Sequence, residues 1–300
     1  KFHNSISSMD LYKQITSKTY TPLEVLYYSV GTYIVIKLSL KLLTIPKRIY
    51  REVQHRKVVA QAKAYRIQRL EKIQKARELL PKLNLSAELI EEIISADVVK
   101  LQEMLASGKV TSVELLTVFY DRCMQLNPEF NFLTDENIQE ALSLAKQCDE
   151  DRKKGDPRAK GLLFGIPVSI KESFGQKGFD RTGGCCELIN KPVAVDSVPV
   201  SLLKAEGAIP FVRTNLPQLL YTVVSLNRIY GETFNPWGKT RSAGGSSGGE
   251  GSIVSCRASP IGIGSDIAGS IRIPSSFCGV YGFKPTGGRT SCSGEFELGP

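Results

Sequence analysis

Histidine is almost absent from this chain, with only His3 and His55 in 300 residues, both near the N-terminus. A hydrolytic site farther along therefore finds no imidazole among these residues to serve as general base, and no Ser-His-Asp arrangement can be assembled from them. The seven cysteines are odd in number and form no CxxC pair. With so little histidine they argue against a zinc site, and they read as free thiols of a reducing compartment. Long uncharged apolar runs are missing too. The stretch between Pro22 and Pro46 has an uncharged core of only twelve residues, 25–36, where a spanning helix needs about 20. Finally, charge imbalance is lacking outside one segment. Residues 47–77 carry eleven Lys or Arg against Glu52 and Glu71, which is the whole net charge of +9.

What is present begins with that N-terminal region. LEVLYYSVGTYIVIKLSLKLLTI (residues 23–45) reads as a single membrane span if Lys37 and Lys41 snorkel, with an in-plane anchor and a buried core helix as the rivals. No small-residue cleavage site follows, which argues against a signal peptide. A span here, with the basic residues on its C-terminal side, places the body in the cytoplasm at an intracellular membrane. Residues 47–80, free of Gly and Pro and ended by Pro81, predict one long helix whose basic face would meet anionic lipid headgroups. Nucleic acid is not expected as a partner, because no recognition fold or aromatic interleaving accompanies the charge.

From Ser86 the chain reads as globular. Short helices are expected at 87–95 and 98–106, a capping box at Thr111 and Glu114 opens a helix to Leu126, and another helix covers 136–152. From Leu162 short apolar strands alternate with helices: strand 162–170, helix 198–206, strand 208–213, a helix entering at Ser247, strand 260–265, a helix from Ser270 and strand 280–283. That alternation predicts an α/β fold, a mixed sheet covered by helices on both sides and preceded by the anchor helix. The expected division is a tail 1–22, an anchor 23–46, a basic helix 47–84 and a globular domain 85–300.

The chemistry concentrates in residues 244–274, GGSSGGEGSIVSCRASPIGIGSDIAGSIRIP. Serines flanked by glycine at helix starts place hydroxyls beside backbone N–H groups, as acyl transfer requires. A flexible linker is the bland reading, disfavoured by the apolar run that follows. A phosphate loop fails because Thr233 stands where a Walker-type glycine is needed before Gly238-Lys239-Thr240. Gly245-Ser246-Ser247-Gly248-Gly249 fits a nucleophile elbow, but without histidine it needs another base. Lys171, at the end of the apolar GIPVSIK, is a candidate: burial disfavours its ammonium. Lowering its pKa from about 10.4 to about 7.5 would cost on the order of 4 kcal/mol of stability. A surface lysine at a strand end is the rival.

GIPVSIKESF, GGSSGGEG and GSDIAGSIRIP, with 75 residues from Lys171 to Ser246 and 24 more to Ser270, together resemble the amidase signature family. GGSSGGEG and Asn235-Pro236-Trp237 resemble its fatty acid amide hydrolases more than its glutamine amidotransferase subunits. The resemblance covers roughly residues 86–300 and implies a Ser-Ser-Lys triad: Ser270 as nucleophile, Ser246 as bridge after a cis peptide from Gly245, and Lys171 as base. It further implies an oxyanion site at the N–H groups of Ile267, Ala268, Gly269 and Ser270. Ser247 becomes a supporting hydrogen-bond donor, and Asp266 and Arg272 orient the nucleophile turn or simply form an ion pair. Ala268 replaces the glycine of many relatives. Leu219, Leu220, Tyr221, Val223 and Val224 match a region that lines the acyl channel. No metal or cofactor is implied; the partners expected are a fatty acid amide substrate and membrane lipids, with a homodimer left open. An amidotransferase subunit and a catalytically inactive membrane scaffold are the alternative functions. Because the chain opens at Lys1, with Met9 a plausible initiator, and the resemblance implies a domain continuing past Pro300, a fragment lacking the C-terminal part of the fold is expected.

Overall fold

The computed structural model describes residues 21–296. The tail up to residue 20, with His3 and Met9, and the chain end at Pro300 lie outside them. The chain divides into two compact units between Lys57 and Val58. Helix α1 (Pro22–Ala76) runs without a break through Pro46. In the first unit its apolar side chains face outward: Leu23, Leu26, Tyr33, Ile34, Val35 and Leu38 are all exposed. The core-helix reading of this stretch is therefore wrong. The window Pro22–Lys41 is 20 residues of mean hydropathy 1.3 with none of it buried, and at about 1.5 Å per residue it is long and apolar enough to cross a membrane. The Lys37 ammonium lies over the Tyr33 ring, 5.2 Å from its centroid, which lets a charged side chain sit against an apolar helix face.

In the second unit the rest of α1 is not a free basic face. Arg69 pairs with Asp135 at 3.0 Å, Lys72 reaches Asp135 at 2.8 Å and Glu136 at 3.2 Å, and Arg77 pairs with Asp121. Tyr120 donates to the Ile73 carbonyl at 2.6 Å, while Ile73 and Ala76 join the main core. For Arg69, Lys72 and Arg77 the lipid-facing expectation is thus corrected, because they neutralise body carboxylates that burial would otherwise make costly, while Arg48, Arg51, Arg56 and Lys57 of the first unit are exposed.

Helices α2 (Ala87–Ser95), α3 (Val98–Ala106), α4 (Ser112–Phe130) and α5 (Ile138–Lys153) follow. Thr111 and Glu114 form the reciprocal capping box at the start of α4. That helix does not stop at Leu126 but passes through Pro128 to end on Asn131 in the left-handed conformation, φ 51°. The sheet is mixed, with order β1-β3-β2-β6. β1 (Leu133–Glu136) is antiparallel to β3 (Ile209–Thr214), and β3 and β6 (Gly262–Ile263) flank β2 (Pro167–Lys171) in parallel. β2 and β3 are joined through α6 (Val198–Ala205), and Phe132, Ile166, Ile209 and Phe211 pack against the α4 and α5 side chains Leu115, Phe119, Ile138 and Ala141. A small ladder of β4 (Leu226–Asn227) and β5 (Gly231–Glu232) stands apart.

Strand β1 is a departure from expectation: its sequence LTDE reads as polar, yet all four residues are buried, because Arg69 and Lys72 neutralise Asp135 and Glu136. The strand expected at 162–170 is confined to its second half, and that at 260–265 to two residues. No strand forms at 280–283. Gly279 ends the preceding helix at φ 68°, the Val280 N–H bonds back to Ser275, and Tyr281 and Phe283 are exposed with no ladder partner among the described residues.

Candidate active site

Because β2 is flanked by β3 and β6, its last residue is enclosed on every side, and Lys171 is 0% exposed. Burial pushes its pKa down to about 8, with the carboxylates of Glu295, Glu250, Asp266 and Glu172 pulling the other way. Its Nζ donates to Ser246 Oγ at 2.7 Å and to Ser265 Oγ at 2.9 Å. A buried amine titrating near neutrality in contact with a hydroxyl has the make-up of a general base.

Ser246 sits in the turn before α7 (Gly248–Ser255). The Gly245–Ser246 peptide is cis. The turn needs its glycines for clearance: a Cβ on Gly249 would fall 2.4 Å from the Asn215 nitrogen, and Gly244 takes φ +83° against Pro274. Ser225 Oγ ties the turn down by donating to the Gly244 carbonyl and accepting from the Gly248 N–H, both at 3.0 Å.

Ser270 arrives from the other side, in the turn before α8 (Arg272–Cys278). Its carbonyl accepts from the Ser247 N–H at 3.1 Å, so the two serine turns are directly bonded. Its hydroxyl has no hydrogen-bond partner among the described residues. Ser247 supports the turn as well, its Oγ donating to the Ser265 carbonyl at 3.3 Å.

Asp266 organises the Ser270 turn. Its carboxylate accepts from the N–H groups of Gly269 (2.7 Å), Ile271 (3.1 Å) and Arg272 (3.2 Å) and from the Arg272 guanidinium at 2.9 Å. The guanidinium, with the backbone donors, holds its pKa well below the usual carboxylate range. The choice between turn-organiser and ion pair dissolves, since one carboxylate does both. The Gly269 N–H is engaged by Asp266, leaving those of Ile267, Ala268 and Ser270 without a protein acceptor among the described residues. The left-handed backbone falls on Gly269, φ 123°, where a Cβ would lie 2.7 Å from Ile273. Ala268 is not among the positive-φ residues, so its methyl group does not disturb the turn.

Leu219 and Leu220 both adopt φ near 60°. The next residues bring the apolar segment to the serine turn: a Cβ on Gly245 would lie 2.7 Å from the Thr222 carbonyl and 3.2 Å from Val223 Cα. Leu219, Tyr221 and Val223 are exposed. Three site residues escaped the sequence reading. Ser265 lies on the loop after β6 and meets Lys171 only through strand pairing. Glu250 and Glu172 are fully enclosed carboxyls, the first bonded to Ser169 and Thr214, the second accepting from the Thr182 and Gly183 N–H groups at 2.6 and 3.1 Å.

The family model described as Amidase matches residues 114–300. This chain belongs to the amidase family. Within it, the chain is 38% identical over 248 residues to the vitamin D3 hydroxylase-associated protein of Gallus gallus, covering 81% of this chain and 51% of that one. It is 41% identical over 209 residues to fatty-acid amide hydrolase 2-B of Danio rerio, covering 68% and 40%. A solved fatty acid amide hydrolase superposes with a TM-score of 0.65 at 31% identity, over 77% of this amidase chain and 46% of that structure. The chain thus spans about half or less of the length of these relatives.

Proposed function

We propose that this protein is a membrane-associated serine amidase that hydrolyses fatty acid amides to a fatty acid and an amine. The chain would be arranged as anchor 23–46, basic segment 47–84 and amidase domain 85–300. The observation that carries the reading is the enclosed Lys171 amine, 2.7 Å from Ser246 and titrating at about 8. Neutral Lys171 accepts the Ser246 proton while Ser246 takes the proton of Ser270, whose Oγ attacks the amide carbon. The N–H groups of Ile267, Ala268 and Ser270 stabilise the oxyanion, each such donor contributing about 3 to 4 kcal/mol. The relay returns the proton to the departing amine, and water then attacks the acyl-enzyme to release the acid. The exposed apolar side chains of Leu219 and Val223 beside the serine turn, and the likeness to fatty-acid amide hydrolases, support a lipid acyl group. With the complete protein, a long-chain primary amide is expected to turn over at least tenfold faster in kcat/KM than acetamide. Equal rates, or preference for the short amide, would withdraw the fatty acyl assignment.

For residues 23–46 we propose a single span, supported by the 20-residue exposed apolar helix. Protein in membranes should stay in the pellet after both high salt and alkaline carbonate. Release by carbonate would point to an in-plane anchor, and release by salt to electrostatic attachment alone.

A further inference from the structure

We propose that Glu250 is a positioning residue of this site, setting how tightly Lys171 holds its proton and fixing the serine turn to the strand that carries the lysine. This rests on the reading of Lys171 as general base.

Glu250 lies in the first turn of α7, four residues after Ser246, and its side chain points into the sheet rather than to solvent. Oε2 accepts from Ser169 Oγ at 2.6 Å and Oε1 from Thr214 Oγ1 at 2.5 Å. Ser169 is two residues before Lys171 on β2 and so shares its face, while Thr214 is the ladder partner of Lys171 on β3. The third strand closes the cage: a Cβ on Gly262 of β6 would lie 2.0 Å from Oε2. One carboxyl therefore grips the lysine's own strand and the neighbour on one side, against a glycine on the other. A structural tie alone would not need a carboxyl, since an amide of the same shape also bridges two hydroxyls.

The field at the lysine is the remaining consequence. Among the described residues, the carboxylates of Glu295, Glu250, Asp266 and Glu172 raise the proton affinity of Lys171. Glu295 is half-buried and bonded to Ser173, so water screens it. Asp266 is matched by Arg272, and Glu172 lies against the Arg213 guanidinium and two backbone donors. Among the described residues Glu250 has only hydroxyl hydrogen-bond partners, and the cation that lowers its pKa is Lys171. Burial pushes the Glu250 pKa up to about 7, while the Ser169 and Thr214 hydroxyls that donate to it favour the ionised form. The charge of that carboxylate is felt at Lys171 with little screening.

The test reads the lysine directly. In the complete protein with 13C-labelled lysine, the Cε resonance of Lys171, assigned with Lys171→Met, is followed against pH by NMR in wild type and Glu250→Gln. The midpoint is expected to fall by one pH unit or more in the variant, a tenfold loss of proton affinity. An unchanged midpoint would leave Glu250 a structural tie and overturn the proposal. Should Glu250→Gln not fold, Thr214→Val removes one donor to the carboxylate, raises the carboxyl pKa so that less of it is ionised, and should move the midpoint in the same direction by a smaller step. No movement there overturns the proposal equally. The difference between proteins decides the role of Glu250, whereas a wild-type midpoint near the ordinary lysine value would instead sink the general-base reading.

Discussion

Replacing Ser270 with alanine is expected to lower covalent labelling by an alkyl fluorophosphonate by about 10⁴-fold or more, because the nucleophile itself is removed. Stability should stay within about 0.5 kcal/mol of wild type, since the tie between the two serine turns uses the Ser270 carbonyl, which alanine retains. The Ser270 hydroxyl itself has no protein partner among the described residues, so its loss leaves no buried donor or acceptor stranded. Ser246→Ala differs: it deprives the Lys171 amine of one of its two hydroxyl partners, leaving Ser265. Undiminished labelling of the Ser270→Ala protein, with the adduct mapped to another serine, would overturn the assignment of the nucleophile. Absence of labelling in the complete wild-type protein would favour the inactive-scaffold reading.

How far the site was legible in the sequence depends on whether a residue's role is set locally or across the sheet. The capping box of Thr111 and Glu114 closes within one helical turn, and its two backbone bonds, 2.7 and 3.2 Å, form as four residues dictate. Glycine spacing around Ser246 anticipated the serine turn, and the family resemblance alone anticipated the cis peptide. The apolar or small residues before Lys171 and the lack of a competing histidine made it a candidate, and the family resemblance decided against a surface lysine at a strand end. Ser265 was not, since nothing in GSDIAGS marks its hydroxyl until β6 is laid beside β2. Glu250 reads as an ordinary acidic residue in the first turn of a helix, where the dipole favours it, and only the strand register shows that it turns inward. β1 was missed for a related reason: two of its four residues are acids, and their burial depends on cations more than 60 residues upstream in α1.

The same enclosure that makes Lys171 a base makes it a burden on the fold, and this gives the second large effect. Lys171→Met should cut fluorophosphonate labelling by about 10²- to 10⁴-fold, the usual contribution of a general base. The wild-type labelling rate should climb as pH rises through about 8, where the amine loses its proton, and level off above; the residual rate of the Met variant should lack that step. Stability should move the opposite way. In the unfolded chain the amine keeps its proton up to about 10.4, whereas the fold releases it at about 8, so between these values the unfolded state binds more protons and wild-type stability rises with pH. Below about 8 the full penalty, roughly 3 kcal/mol, weighs against the native state. Methionine is close in volume and carries no charge, so it removes that penalty while forfeiting two hydrogen bonds of about 1 kcal/mol each. A net gain of about 1 kcal/mol at pH 7, falling to zero near pH 9 and becoming a loss of about 1 kcal/mol by pH 10, is the expected result in paired denaturant titrations. A variant less stable than wild type at pH 7, or a labelling rate in wild type that falls across pH 8, would mean that the amine is already paired and protonated in the fold, and the base would have to be sought elsewhere.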